Sequence, residues 1–383
     1  MKLNKILHIS PTDIRYDSRI LKELEAIKKL PDSVIFAFGI NDREGHKYDS
    51  SFSNVKTFDL LSKKMKCLPR PIRYFFNTIE AFFKFIVPMY KFNPSIIHCH
   101  DTLYLPIAII GKYICKSKII YDAHELESDK AGQSKILSSY TLLVEKISWK
   151  NIDLLISVSQ SIINWYNSNI GTKGSLLILN SPLMKDKDLT IFDQNYFRNK
   201  FNIPTGKKIF LYLGIISQEG RGIDLYLDVF RKVNIDSHII FVGYGDYAEM
   251  VIKISREYPN IHYHDAVPHN EVVEISKSAD VGLCMLEKVS LSDYYCLPNK
   301  LFEYAFSGLY ILATGFPDIK HIVESYNLGK TCSFNEIDFE HAVKSIESMS
   351  IQKNINNLYP LSWEYQSEKL YKEYIKLLNI NKN

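Results

Sequence analysis

Cysteine is scarce in this chain of 383 residues and never paired: Cys67, Cys99, Cys115, Cys284, Cys296 and Cys332 stand far apart, with no Cys-x-x-Cys. That spacing excludes a disulfide scaffold and a cysteine-built zinc site, and reads as reduced, mostly buried thiols of a cytosolic protein. No window holds the ~18 uncharged apolar residues needed to cross a bilayer. MKLNKILHISPTD carries only a short apolar run and is expected to form a first β-strand rather than a signal peptide. Neither charge dominates: 47 Lys and Arg against 43 Asp and Glu leave +4, too little to argue for nucleic acid. Short-period repeats are absent. No Gly-x-Gly-x-x-Gly opens a helix ahead of an acidic residue, which argues against a dinucleotide-dependent oxidoreductase.

What is present is the composition of a globular protein, 46% hydrophobic and 23% charged, in a chain long enough for two domains. Short apolar runs alternate with amphipathic segments, the signature of α/β architecture with parallel sheets. The first half offers strands at Lys5–Ser10, Val34–Phe38, Val55–Phe58, Ile96–Cys99, Lys118–Tyr121, Leu154–Val158 and Leu176–Leu179. The alternation halts at Asn180-Ser181-Pro182 and the charged stretch Lys185–Asp188, which reads as a linker. A second series follows, with strands at Ile209–Leu213, His238–Val242, Ile261–Tyr263, Val281–Cys284 and Tyr310–Ala313. A last helix over Trp363–Leu378 is long enough to leave its own domain. The expected domains are 1–183, 184–361 and a C-terminal helix at 362–383 that packs back on the first. Two such halves would hold a ligand in the cleft between them, at the carboxyl ends of the strands.

The most informative stretch is LSDYYCLPNKLFEYAFSGLYILATG, from Leu291. A helix is expected to open at Pro298, with Lys300 and Glu303 on one face because residues three apart are neighbours. A cation, a carboxylate and free backbone N–H groups at one helix start suit a nucleotide, with diphosphate on the helix end and ribose hydroxyls on the carboxylate. A surface ion pair is the plainer reading of the same residues. Elsewhere, His98, His100 and Asp101 lack a partner set at metal-ligand spacing and read as cleft or packing residues. Lys63, Lys64, Lys66, Arg70 and Arg73 precede an aromatic-rich helix with Phe75, Phe76, Phe82, Phe83 and Phe85. Residues 62–92 thus suit either peripheral contact with an anionic membrane or an ordinary aromatic core beside solvated charges.

With LPNKLFEYAFSG, YDAHELESD at Tyr121–Asp129, NIDLLISVSQSI at Asn151–Ile162, LYLGIISQEGRGIDLYLDVF at Leu211–Phe230, IIFVGYGD at Ile239–Asp246 and AVPHNEVVEISKSADVGLCML at Ala266–Leu286, the chain resembles the retaining nucleotide-sugar glycosyltransferases of family 4. The resemblance covers most of the chain. It implies the GT-B fold, two Rossmann-like domains facing each other across a cleft, with acceptor bound by the first and nucleotide-sugar donor by the second. Arg221 and Lys300 would then grip the donor diphosphate beside Gly220 and Asn299, with Glu303 on the ribose. Gly243 and Gly245 would let backbone approach the nucleotide, Val267 and Pro268 would meet the base, and Leu297 would lie near the donor sugar. His124 would sit at the reaction centre, so that His124, Arg221 and Lys300 form the catalytic set. Acceptor-side candidates are Asp13, Arg15, Asp17, Arg19 and Glu125, with Asp13 to Arg19 equally able to cap and solvate the following helix.

Three departures stand out. Ile215 occupies a position where many relatives carry a second Arg, Tyr295 replaces the first Glu of the Glu-x7-Glu motif, and Ser10–Glu23 lacks the Gly pair after the first strand. The resemblance implies transfer of a hexosyl-type group from a nucleoside diphosphate sugar, UDP favoured over GDP, to a glycan or lipid-linked acceptor. No cofactor or metal is implied, since cations of the chain take the metal's place. Bacterial surface polysaccharide synthesis would be the setting, in the cytoplasm or at the inner face of the cell membrane. Alternatives of the same fold are a nucleotide-sugar 2-epimerase and a non-catalytic partner subunit.

Overall fold

Continuous apolar runs rich in Ile, Leu and Val form strands buried on both faces, and the amphipathic segments between them return as helices. The computed structural model describes residues 3–41, 54–65, 67, 69–184, 192–351 and 357–380. Lys66 and the expected linker stretch 185–188 lie outside them. The strands are β1 (Asn4–Ile9), β2 (Ser33–Ile40), β3 (Val55–Phe58), β4 (Ile96–His100), β5 (Lys118–Ala123), β6 (Leu154–Ser157) and β7 (Ser175–Leu177). They are followed by β8 (Ile209–Ile215), β9 (His238–Tyr244), β10 (Ile261–Asp265), β11 (Val281–Cys284), β12 (Tyr310–Thr314) and β13 (Gly329–Cys332). The helices of the first half are α1 (Ser18–Ile27), α2 (Leu61–Lys64), α3 (Arg70–Phe92), α4 (Leu105–Cys115), α5 (Lys135–Ser148) and α6 (Gln160–Asn169). Then come α7 (Tyr196–Phe201), α8 (Ile223–Phe230), α9 (Ala248–Ser255), α10 (Val272–Ser276), α11 (Leu291–Tyr294), α12 (Asn299–Ser307), α13 (Pro317–Ser325), α14 (Glu336–Glu347) and α15 (Trp363–Leu377).

The chain divides into two units, one of residues 1–178 and 366–383 and one of residues 179–365. The first holds a seven-stranded sheet ordered β3-β2-β1-β4-β5-β6-β7, the second a six-stranded sheet ordered β10-β9-β8-β11-β12-β13. Every described pairing between these strands is parallel. Strand order reverses between β1 and β4 and again between β8 and β11, the two points at which an open parallel sheet leaves a crevice at its carboxyl ends.

Local signals set the helix boundaries. Asp17, Ser134, Ser159 and Asn335 accept from backbone N–H groups at the starts of α1, α5, α6 and α14. Gly308 closes α12 in the left-handed region. In the second unit β8 and β9 meet so closely that a Cβ on Gly243 would lie 1.9 Å from the Gly214 carbonyl oxygen. Gly243→Ala is therefore expected to cost about 1–3 kcal/mol of stability through overpacking. A urea unfolding curve equal to that of the parent protein would contradict that reading.

Two expectations need correction here. Of the cysteines only Cys99 and Cys284 are buried, whereas Cys67 is exposed and the rest are half-buried. The sequence reading also passed over β13 and α14, which complete the second unit.

Candidate functional site

In the second unit the β8, β9 and β10 carboxyl ends and the start of α12 enclose a cavity of about 580 Å³. Its wall is built from Leu213 to Ile215 at the end of β8, Val242 to Tyr244 at the end of β9, Ala266 and Val267 after β10, and Pro298 to Lys300 with Glu303 on α12. Pro298 is the cap residue and Asn299 the first helical one, a single-residue shift from the sequence expectation. No side chain caps this end, so the first backbone N–H groups of α12 remain available to an anion.

Lys300 and Arg221 both line this cavity. The Lys300 ammonium sits 4.0 Å from the centre of the Tyr212 ring, a cation–π contact that fixes the amine although the side chain is almost fully buried. Tyr212 in turn donates to the Ile215 carbonyl. Burial pushes the Cys284 thiol up to about 11, and the charges of Lys300 and Arg221 both lower it. Both positive groups therefore act on one buried point. Arg221 follows Gly220 and precedes Gly222, which caps α8 with φ +73, a conformation glycine adopts without strain. Glu303 reaches toward His269, whose Nδ1 lies 3.8 Å from its carboxylate.

Among the sequence candidates, Arg221, Gly243, Val267, Asn299, Lys300 and Glu303 line the cavity together. Gly220, Gly245, Pro268 and Leu297 do not line it. Gly245 has a packing reason of its own, since a Cβ there would meet the Ile216 carbonyl oxygen at 2.1 Å. Tyr212, Tyr244 and His269 are lining residues that sequence reasoning missed. Ile215, half-exposed, is part of the wall. Asp293 is occupied by Ser290, which donates to its carboxylate at 2.6 Å, and the N–H groups of Tyr294 and Tyr295 are used within the α11 turn.

His124 belongs to a different constellation, in the first unit, at the carboxyl ends of β1, β4 and β5. Sheet register places His8 beside His98 and His100 beside Asp122. His8 Nδ1 and His100 Nε2 are 3.0 Å apart, and His100 Nδ1 and His124 Nε2 are 3.1 Å apart. Tyr374 of α15 closes the chain, its hydroxyl 2.7 Å from His98 and 3.2 Å from His8. Arg19 donates to both oxygens of Asp122 at 3.1 Å and to the Ile178 carbonyl, and its Nε lies 3.1 Å from Glu23. Arg19 is thus enclosed in a buried ion pair and is not open to an acceptor, contrary to the sequence expectation. Asp13 is also buried, bonded to Arg15, and Asp17 caps α1. Glu125 remains exposed, 3.7 Å from Lys130.

Burial lowers the pKa of His8, His98 and His100, so these imidazoles are neutral. Burial opposes the charge of Asp122 as well, but Arg19 and His124 outweigh it and hold that carboxyl well below the usual range. Burial and the Asp122 charge push Glu23 upward. For His124 burial again works downward, yet Asp122 and Asp101 prevail and raise it to about 9. The sign of the pH dependence follows. Below about pH 6.5 the unfolded chain takes up protons that His8, His98 and His100 refuse when folded, so stability falls with acid. Above it the folded state keeps a proton on His124 that the unfolded chain releases, and Glu23 adds in the same direction, so stability falls through pH 9. Melting temperature is expected to peak near pH 6.5; a profile rising steadily from pH 5 to 9 would count against it.

Ligand-capable atoms of His8, Glu23, His98 and His100 lie within 4.8 Å of one another, a set that spacing along the sequence did not reveal. The rings of His98 and His100 are stacked, with centres 4.4 Å apart and planes at 17°. Stacked imidazoles direct their nitrogen lone pairs along near-parallel planes and not at one shared point. We read the cluster as a hydrogen-bonded stack.

The family model described as glycosyl transferases group 1 matches residues 193–358, within the second unit that holds the cavity. No curated protein matches the chain by sequence. Among solved structures, sucrose-phosphate synthase (tll1590) from Thermosynechococcus elongatus is similar at TM-score 0.75 and 15% identity, over 99% of this chain and 100% of that one. Anabaena Alr3699/HepE in complex with UDP is similar at TM-score 0.70 and 11% identity, over 98% and 100%. The lipopolysaccharide outer core galactosyltransferase WaaB follows at 0.67 and 14%, over 98% and 99%. Two parallel-sheet α/β units matching these structures along the whole chain make the fold GT-B. The family match thus covers the second unit, and the structural likeness covers the fold.

Proposed function

We propose that the chain is a retaining glycosyltransferase that moves a hexosyl group from a nucleoside diphosphate sugar, UDP preferred over GDP, to a hydroxyl of a glycan or lipid-linked acceptor. The observation that carries the reading is the convergence of Arg221, Lys300 and an uncapped helix start on one cavity. In the reaction the bond from the anomeric carbon to the diphosphate breaks, and the acceptor oxygen bonds to that carbon on the same face. The acceptor proton leaves for a phosphate oxygen of the departing diphosphate. Arg221, Lys300 and the α12 N–H groups stabilise the growing negative charge, so no metal is required. Glu303 holds the ribose hydroxyls. Bound UDP in two similar structures, HepE and Staphylococcus aureus MnaA, supports uracil as the base. A role in bacterial surface polysaccharide synthesis accords with the name of WaaB.

The test is a thermal-shift titration of the protein with UDP and GDP. UDP at ~100 times its dissociation constant adds about 2.7 kcal/mol to stability, and Arg221→Ala is expected to abolish that gain. Absence of a shift with either nucleotide would turn the reading toward a non-catalytic subunit. Sugar release analysed with and without acceptor then separates transfer from conversion of the donor alone.

A further inference from the structure

In the first unit α4 lies between α3 and α5 and packs against both. Helices that cover a sheet normally show mostly polar residues to solvent, whereas the exposed positions of these three are mostly apolar. On α3, Phe76, Ile79, Phe83, Val87 and Tyr90 are exposed, Phe83 at 65%, recurring every three or four residues along one face, with exposed Phe75 beside them. On α5 the exposed row is Ile136, Tyr140, Leu143 and Ile147. Between them α4 presents Ile110, Tyr113 and Ile114. A whole aromatic side chain covers roughly 200 Å², so these fractions amount to on the order of 1,000 Å². A typical monomer's largest apolar patch is ~300–600 Å². The sequence expectation had stopped at residues 62–92 and had counted Phe85, which is buried in the core.

Charge decides what covers this face. Exposed Lys64 precedes α3 and Lys91 lies in its last turn, while Lys135 opens α5, Lys146 lies in its last turn and exposed Lys150 follows it. The two carboxylates of these helices are engaged within the unit: Glu80 accepts from Ser62 and pairs with Lys84, and buried Glu145 accepts from Tyr121 and Tyr166. A second copy of the chain would set lysine against lysine. No helix among the described residues is long and apolar enough to cross a membrane. We propose that the α3–α4–α5 face seats on the surface of an anionic lipid bilayer, its apolar rows at the headgroup–acyl boundary and its lysines on lipid phosphates. The inference is independent of the transferase reading and its test needs no donor.

The experiment is flotation of the full chain with vesicles of neutral phosphatidylcholine alone or with 30 mol% (about one lipid in three) phosphatidylglycerol, chosen to supply the negative surface that attracts basic groups. Binding is expected on the anionic vesicles and should weaken with salt. Lys146→Glu with Lys150→Glu should lower partition at least about tenfold, at ~1 kcal/mol for each lysine. Phe83→Ser on α3 and Ile147→Ser on α5 should each weaken binding as well, with melting temperatures unchanged because both side chains are already exposed. Binding lost only with the α3 variant would overturn the three-helix face. No binding to either vesicle, or a concentration-dependent dimer abolished by Phe83→Ser, would overturn the lipid assignment.

Discussion

Lys300→Ala is expected to reduce the rate of sugar transfer by about 10²–10³-fold, the usual consequence of removing one preorganised group from developing charge. That corresponds to roughly 2.7–4 kcal/mol of transition-state stabilisation. The competing effect is on the fold, where the lost contact with Tyr212 is worth about 0.5–2 kcal/mol. Turnover should therefore suffer more than stability, which a paired measurement of initial rate and urea midpoint resolves. Because the amine is nearly buried and held over an aromatic ring, its position is set before substrate arrives, and kcat is expected to fall more than KM rises. Loss of stability equal to the loss of rate would make Lys300 a packing residue.

Asp122→Ala is expected to be the most damaging single change in the first unit. It leaves the Arg19 guanidinium buried without its main counter-charge, a situation that typically costs about 3–5 kcal/mol. The same substitution removes the largest influence that raises the His124 pKa, so that value should drop from about 9 toward or below the ordinary histidine range. Imidazole proton resonances followed against pH would read this directly in Asp122→Asn, the gentler variant. Replacing Arg19 and Asp122 together by apolar residues of similar size should restore much of the stability. An Asp122→Ala protein as stable as its parent would mean that water reaches the pair.

Much of this architecture is legible in the amino-acid order, for a physical reason. Strands buried on both faces need uninterrupted apolar side chains, so Ile209–Leu213 and Val281–Cys284 announce themselves. Strand β13 does not, because Gly329–Cys332 is a short edge strand, half-buried, with Lys and Thr at its centre. Helix α14 hid behind its surface charges, Glu336, Asp338, Glu340 and Lys344, although Phe339, Ala342, Val343 and Ile346 form a buried face at helical spacing. In the cavity, Arg221 and Lys300 were readable because each sits at a helix start after a turn, and Glu303 because it lies three residues on from Lys300 on the same face. Tyr212 was not, since a tyrosine within an apolar strand looks like any core aromatic. The histidine cluster was out of reach for another reason. Its members His8, Glu23, Asp122 and Tyr374 come from distant parts of the chain, and only parallel register and the returning helix bring them together.

The Tyr374 hydroxyl bonds to the imidazoles of His8 and His98, which leave the ribosome hundreds of residues before it. At roughly 5–20 residues per second, the intervening unit, residues 179–365, occupies translation for about 10–40 s. Throughout that interval the nascent first sheet must persist with its polar stack uncovered, a window in which chaperones can engage it. Burial of the stack therefore waits for α15: clipping ahead of Tyr374 would unseat groups laid down hundreds of residues earlier.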